Sequence, residues 1–261
     1  MNESFSMERL TWLLRADLVA RYRTVLIIAV TVAVLVIVQG MLLSASPNPP
    51  ENIYAPWFLG MLFIWGPIAA SQSFRELHDK SQNQAYLLLP ASALEKTLAR
   101  LLLITVVFGL FVLLFFLVLG WLNAVLNFLI MGRPVATFSP PEFMGTTLWL
   151  HVIVVQSVFF LGAAWFRKAH FVKTNFAITL GLLALILLAG LMVRVLFGGH
   201  LSAFMMTGDL SLDQGRFLEA NRGLLEFLGW IGRPVYFAVL PPFCWWVVWL
   251  RVKETQVSYG V

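Results

Sequence analysis

The chain is written as long uncharged apolar runs separated by short charged or proline-rich connectors. From Thr24 to Leu43 there is no ionisable side chain. A second apolar run covers about 54–74, and a third starts near Thr97, runs to about Leu122 and stays uncharged to Met131. A fourth covers about 144–166, a fifth about 175–195 with Arg194 near its end, and a sixth about 234–250. A bilayer core of about 30 Å takes about 20 apolar residues in a helix. In lipid, only a helix or a closed barrel satisfies the backbone. Six membrane-spanning helices are therefore predicted, the second with kinks at Pro56 and Pro67 and the sixth short, with the Pro241, Pro242 pair at its centre.

The connectors refine this picture. Within residues 1–23, Leu10, Leu13, Leu14, Leu18 and Tyr22 recur at helical spacing while Arg9, Arg15 and Asp17 fall largely on the other side. This predicts an amphipathic helix lying in the membrane interface before the first crossing. Asn123 and Asn127 predict that the tail of the third crossing lies outside the apolar core of the bilayer or in its interface. Residues 198–233, which open on Gly198 and Gly199, are partly amphipathic through Phe217, Leu218, Leu224, Leu225, Phe227 and Leu228, and predict an extracytoplasmic loop with short helices.

Composition agrees with the pattern. Of 261 residues, 60% are hydrophobic and only 12% charged, against about 25% charged in ordinary soluble domains, and the mean hydropathy is +0.84. The net charge of +5 does not point to nucleic acid, because the cations flank apolar runs. Thirteen of the 18 Lys and Arg residues fall in the N-terminal arm, the 75–100 connector, the 167–173 connector and the tail. That excess predicts both termini and the 75–100 connector in the cytoplasm. No repeat or separate soluble domain is visible, so 1–261 reads as one all-α, multi-pass membrane domain.

Chemistry is sparse. The four histidines, His78, His151, His170 and His200, form no close ligand pairing, and the single cysteine, Cys244, lies inside a run. No zinc motif, nucleophile elbow or phosphate-binding loop is present. The expectation is no catalytic, cofactor or metal site. His151 and Gln156 sit in the fourth crossing, where a polar group is a functional candidate, although bonding to a neighbouring helix is the commoner use. Apart from Arg194 the crossings carry no charge, which argues against ion-coupled transport.

The connector from Phe74 to Arg100, FRELHDKSQNQAYLLLPASALEKTLAR, is the densest in charge and carries an apolar YLLLP run that a solvated link does not need. Ser92 and Glu95 stand at capping-box spacing, so a helix is predicted to start there. An amphipathic arm, six crossings and a first cytoplasmic loop of this form resemble an ABC-2 type transporter permease. The motif is carried by Phe74, Glu76 and Leu77, then Tyr86 to Ser92, then Glu95, Lys96 and Arg100. The resemblance implies an ABC-2 (type V exporter-like) permease fold in a bacterial inner membrane, with an N-terminal elbow helix. It implies two separate ATPase subunits that hold ATP and Mg, and a second permease copy or homologous permease as dimer mate. It makes 75–97 a coupling loop whose ATPase contacts are Phe74, Arg75, Glu76, Leu77, Asp79, Lys80, Tyr86, Leu87, Leu88, Leu89, Pro90, Glu95, Lys96 and Arg100. The alternative is a membrane scaffold or assembly factor worked by an ATPase without passing cargo itself.

Overall fold

The computed structural model describes residues 5–44, 52–78, 91–132, 137–140, 145–207 and 222–258. About 90% of these are helical and none is in a strand. The chain forms α1 (Met7–Ser44), α2 (Ala55–Gly60), α3 (Gly66–Ser71), α4 (Arg75–His78), α5 (Ala93–Leu102), α6 (Phe108–Met131), α7 (Thr146–Trp165), α8 (His170–Thr207), α9 (Arg222–Pro234) and α10 (Leu240–Ser258). Three π-turns, Met61–Trp65, Leu103–Val107 and Val235–Val239, join α2 to α3, α5 to α6 and α9 to α10.

Among the described residues, five helices are long and apolar enough to cross a membrane: Met7–Leu43, Ala93–Ile130, Thr146–Trp165, His170–Leu191 and Gly229–Thr255. The protein is a multi-pass membrane protein. The run predicted as the second crossing is helical from Ala55 to Ser71, about 25 Å at 1.5 Å per residue, shorter than the other five.

Two of the π-turns have a visible cause. Pro67 and Pro241 lack an N–H and press on the carbonyl four residues back. The turn before each widens, so that Gly66 N–H reaches Met61 O and Leu240 N–H reaches Val235 O. The kink predicted at Pro67 is thus absorbed as a π-turn, while Pro56 stands in the first turn of α2, where its missing N–H costs nothing. In the third, the Thr105 hydroxyl donates to Leu101 O at 2.7 Å and competes for the local ladder.

Several predicted boundaries are corrected. The N-terminal arm is not a separate interfacial helix: α1 runs unbroken from Met7 to Ser44, because no glycine or proline interrupts residues 7–39. The fifth helix does not stop at Gly198 and Gly199 but continues to Thr207. The last helical run is not short, since α9, its π-turn and α10 are continuous from Arg222 to Ser258. Asn123 and Asn127 are fully buried against other helices in α6, which ends beyond them at Gly132, a left-handed cap with φ 65°.

Packing is organised on α7, which lies against α3, α8 and α10, while α1 runs along α5 and α6. One apolar core joins Val36, Phe58, Leu62, Val112, Phe116, Phe138 and Val152. A second joins Phe74, Leu77, Ile104, Phe160, Ala163, Val248 and Val252 at the end where α4 lies. The α7–α8 contact requires Gly162. A Cβ there would stand 3.0 Å from Cβ and Cγ2 of Thr174 and closer still to its hydroxyl. Gly162→Ala is expected to cost about 1–3 kcal/mol by overpacking, read as a lowered melting temperature in detergent. An unchanged melt would mean that α8 can withdraw freely from α7.

Candidate functional site

The segment from Ser73 to Arg100 is anchored to the base of α1 by two buried ionic joints. At the first, Ser92 caps α5. Its hydroxyl accepts from Glu95 N–H at 3.2 Å, and its own N–H donates to Glu95 Oε2 at 2.8 Å, completing the capping box that the spacing predicts. The remaining oxygen, Oε1, accepts from Ser6 N–H at 2.7 Å and from an Arg9 Nη2 at 3.0 Å. One carboxylate with no solvent exposure therefore closes the start of α5 and holds the start of α1.

The second joint is Arg100. Its guanidinium donates to the Ser73 carbonyl and to Glu76, and its Nε stands 3.7 Å from Asp17. The plane lies 5.3 Å from the centre of the Phe74 ring. A planar fork with five donors fits several acceptors and a ring face together, which a lysine ammonium does not. Arg9 and Asp17 are eight residues apart, so they share one face of α1. That face meets Glu95 and Arg100 with opposite charges.

This burial revises part of the predicted contact surface. Phe74, Leu77, Glu95, Lys96 and Arg100 are turned into the chain, each no more than 4% exposed. They support the segment from within and do not face outward. Arg75 is exposed, and Glu76 is half-buried on Arg100. Asp79, Lys80, Tyr86, Leu87, Leu88, Leu89 and Pro90 lie outside the described residues.

The fold brings together further residues that no local motif links. His78 and His170 stack, with ring centroids 5.3 Å apart. His78 Nε2 lies 3.1 Å from Ala163 O, and because a carbonyl only accepts, that nitrogen carries the hydrogen. Burial pushes the His78 imidazole below its ordinary range, helped by the charges of Arg251 and Arg167, against the pull of the Ala163 carbonyl. Elsewhere, the Asn123 amide donates to the Tyr54 hydroxyl at 3.0 Å, and Asn127 donates to Asn123 Oδ1 at 2.7 Å. His151 sits against Tyr236 and Phe237 of the last π-turn, with Nδ1 2.7 Å from Thr147 O, a helix-packing role. Gln156 is 1% exposed against Gly66, and neither amide atom has a partner among the described residues.

The spacing of Arg9 and Asp17, set against that of Glu95 and Arg100, was the signal available for the joints. No short-range signal existed for the histidine pair, whose members are 92 positions apart. No group of three or more metal-ligating side chains occurs among the described residues. Comparison with protein-family models, with curated proteins and with solved structures gives no match.

Proposed function

We propose that the chain is the membrane-spanning permease subunit of an ATP-binding cassette exporter of the ABC-2 type, with no catalytic, cofactor or metal site of its own. Two separate ATPase subunits holding ATP and Mg drive it, and a second copy or a homologous permease completes the path. In this reading Ala55–Ser71 is the second of six crossings. Both termini and the 75–100 segment face the cytoplasm of a bacterial cell, a placement supported by the distribution of Lys and Arg.

The observation that carries the proposal is the pair of ionic joints between the 73–100 segment and α1. A push delivered to a flexible connector would be absorbed by the connector. Here Glu95 and Arg100 tie the segment to α1, and α5 leads directly into the third crossing. A force on the segment therefore moves the first and third crossings together, as a rigid-body step of alternating access needs. In this reading the exposed Arg75 and the Asp79–Pro90 sequence, with its three leucines, are what the ATPase contacts.

Deleting Leu87–Leu89 tests this. The variant is expected to insert and melt like the parent, yet to lose ATPase copurification and cargo movement in proteoliposomes. Full transport by the deletion would refute the coupling role. Copurification of an ATPase with the parent, but no cargo crossing, would instead favour the mechanically worked scaffold.

A further inference from the structure

At the end of the bundle where α4 lies, the α7–α8 connection and α10 bring basic side chains together in one cluster, hereafter the basic pocket, with Arg251 on the Trp165 ring and Lys173 Nζ 6.0 Å from the Phe166 ring. Its floor is the stacked pair His78 and His170. Arg167 and Arg251 stand close enough for their charges to bear on His78, and Arg75 and Lys173 close enough to bear on His170. The Arg251 guanidinium is steadied 5.5 Å from the Trp165 ring. The acid bonded there is the exposed Glu254, which takes Nη1 of Arg251 at 2.6 Å.

This arrangement is unbalanced in two ways. Cations gather around the stacked imidazoles, with Arg251 on Trp165, Lys173 on Phe166 and Arg167 between those two rings and His170 in sequence. In addition, Nε of Arg251 is buried without a hydrogen-bond partner among the described residues. Buried polar atoms of this kind are costly unless something bonds them. A compact anion with several acceptor oxygens answers both, and phosphate is the group that arginine and lysine bind best in this manner.

What adjoins the pocket selects the source of that phosphate. Val172 and Phe176, one turn apart on α8, are 65% and 63% exposed, and Trp165 is 59% exposed. A free inorganic ion has no use for an apolar strip. A lipid places its phosphate among the cations and its acyl chains along the strip, the usual geometry of a basic pocket between crossings.

We propose that this pocket binds the phosphate of an anionic membrane phospholipid, with Arg167, Lys173, Arg251 and His170 as its donors and the acyl chains lying on Val172 and Phe176. The site does not depend on the transport reading.

Native mass spectrometry of the full chain released from detergent tests it with phosphatidylglycerol, phosphatidylcholine and inorganic phosphate as probes. Phosphatidylglycerol is expected to be retained at least fivefold better than phosphatidylcholine by the unmodified protein, a comparison that needs no variant. Arg167→Gln and Lys173→Gln, both of exposed side chains, are each expected to lower that retention roughly fivefold, the worth of one cation at a membrane surface. Arg15→Gln, an exposed cation elsewhere, is expected to leave it unchanged. Equal retention of the two lipids would overturn the proposal, as would an equal loss in the Arg15→Gln protein. Displacement of the lipid by inorganic phosphate alone would reassign the pocket to a free anion and overturn it too.

Discussion

Arg100→Met is expected to lower stability by about 3–5 kcal/mol, the usual result of removing one partner from a buried charge cluster. The guanidinium is 4% exposed, so water does not replace it at the Ser73 carbonyl and reaches Asp17 and Glu76 only in part. Two carboxylates then face each other across the joint between α1 and α4, with Arg21 the remaining cation whose charge bears on both. At about 2–4 °C per kcal/mol for a chain of this size, the melting temperature in detergent should fall on the order of 10 °C. Arg100→Lys should lie between, since it keeps the charge but loses the fork and the stacking on Phe74. A methionine variant that melts with the parent would mean that the cluster contributes nothing net, and the strut would no longer connect the segment to α1.

The coarse fold was legible because lipid imposes a simple grammar: apolar runs become helices, and cations mark one side. The capping box at Ser92 and Glu95 was legible because both of its bonds lie within one turn. What the same carboxylate does with its other oxygen was not legible, since Ser6 and Arg9 approach from 89 and 86 residues away. Asn123 and Asn127 read as polar ends because an amide ordinarily seeks water. Tyr54, 69 residues away, supplies the partner that lets them stay buried.

Gly198 and Gly199 read as a helix stop, because glycine costs about 1 kcal/mol in a helix. The helix α8 nevertheless continues through both to Thr207. The contact residues were misplaced for a related reason. A run of Phe, Glu, Leu, Glu, Lys and Arg in a connector reads as surface, but Phe74 and Leu77 pack into the second apolar core and charges on α1 draw Glu95 and Arg100 inward.

Glu95→Ala separates a framework role from a contact role. If Glu95 faced the ATPase, its loss would weaken that complex and leave the isolated protein unaffected. Buried as it is, its loss strands the N–H groups of Ser6 and Ser92 and the Arg9 guanidinium, removes half of the α5 cap, and should cost about 3–5 kcal/mol. The isolated protein should then melt on the order of 10 °C lower, and limited trypsin digestion should cut sooner at Arg9 and Arg15, as the start of α1 comes away from α5. Glu95→Gln should lose less, about 1–2 kcal/mol, because its carbonyl oxygen still accepts from a backbone N–H while the charge facing Arg9 is gone. An alanine variant with the parent's melting temperature and cleavage rate, but weakened ATPase binding, would return Glu95 to the outer surface of the segment and break the connection from that segment to α1.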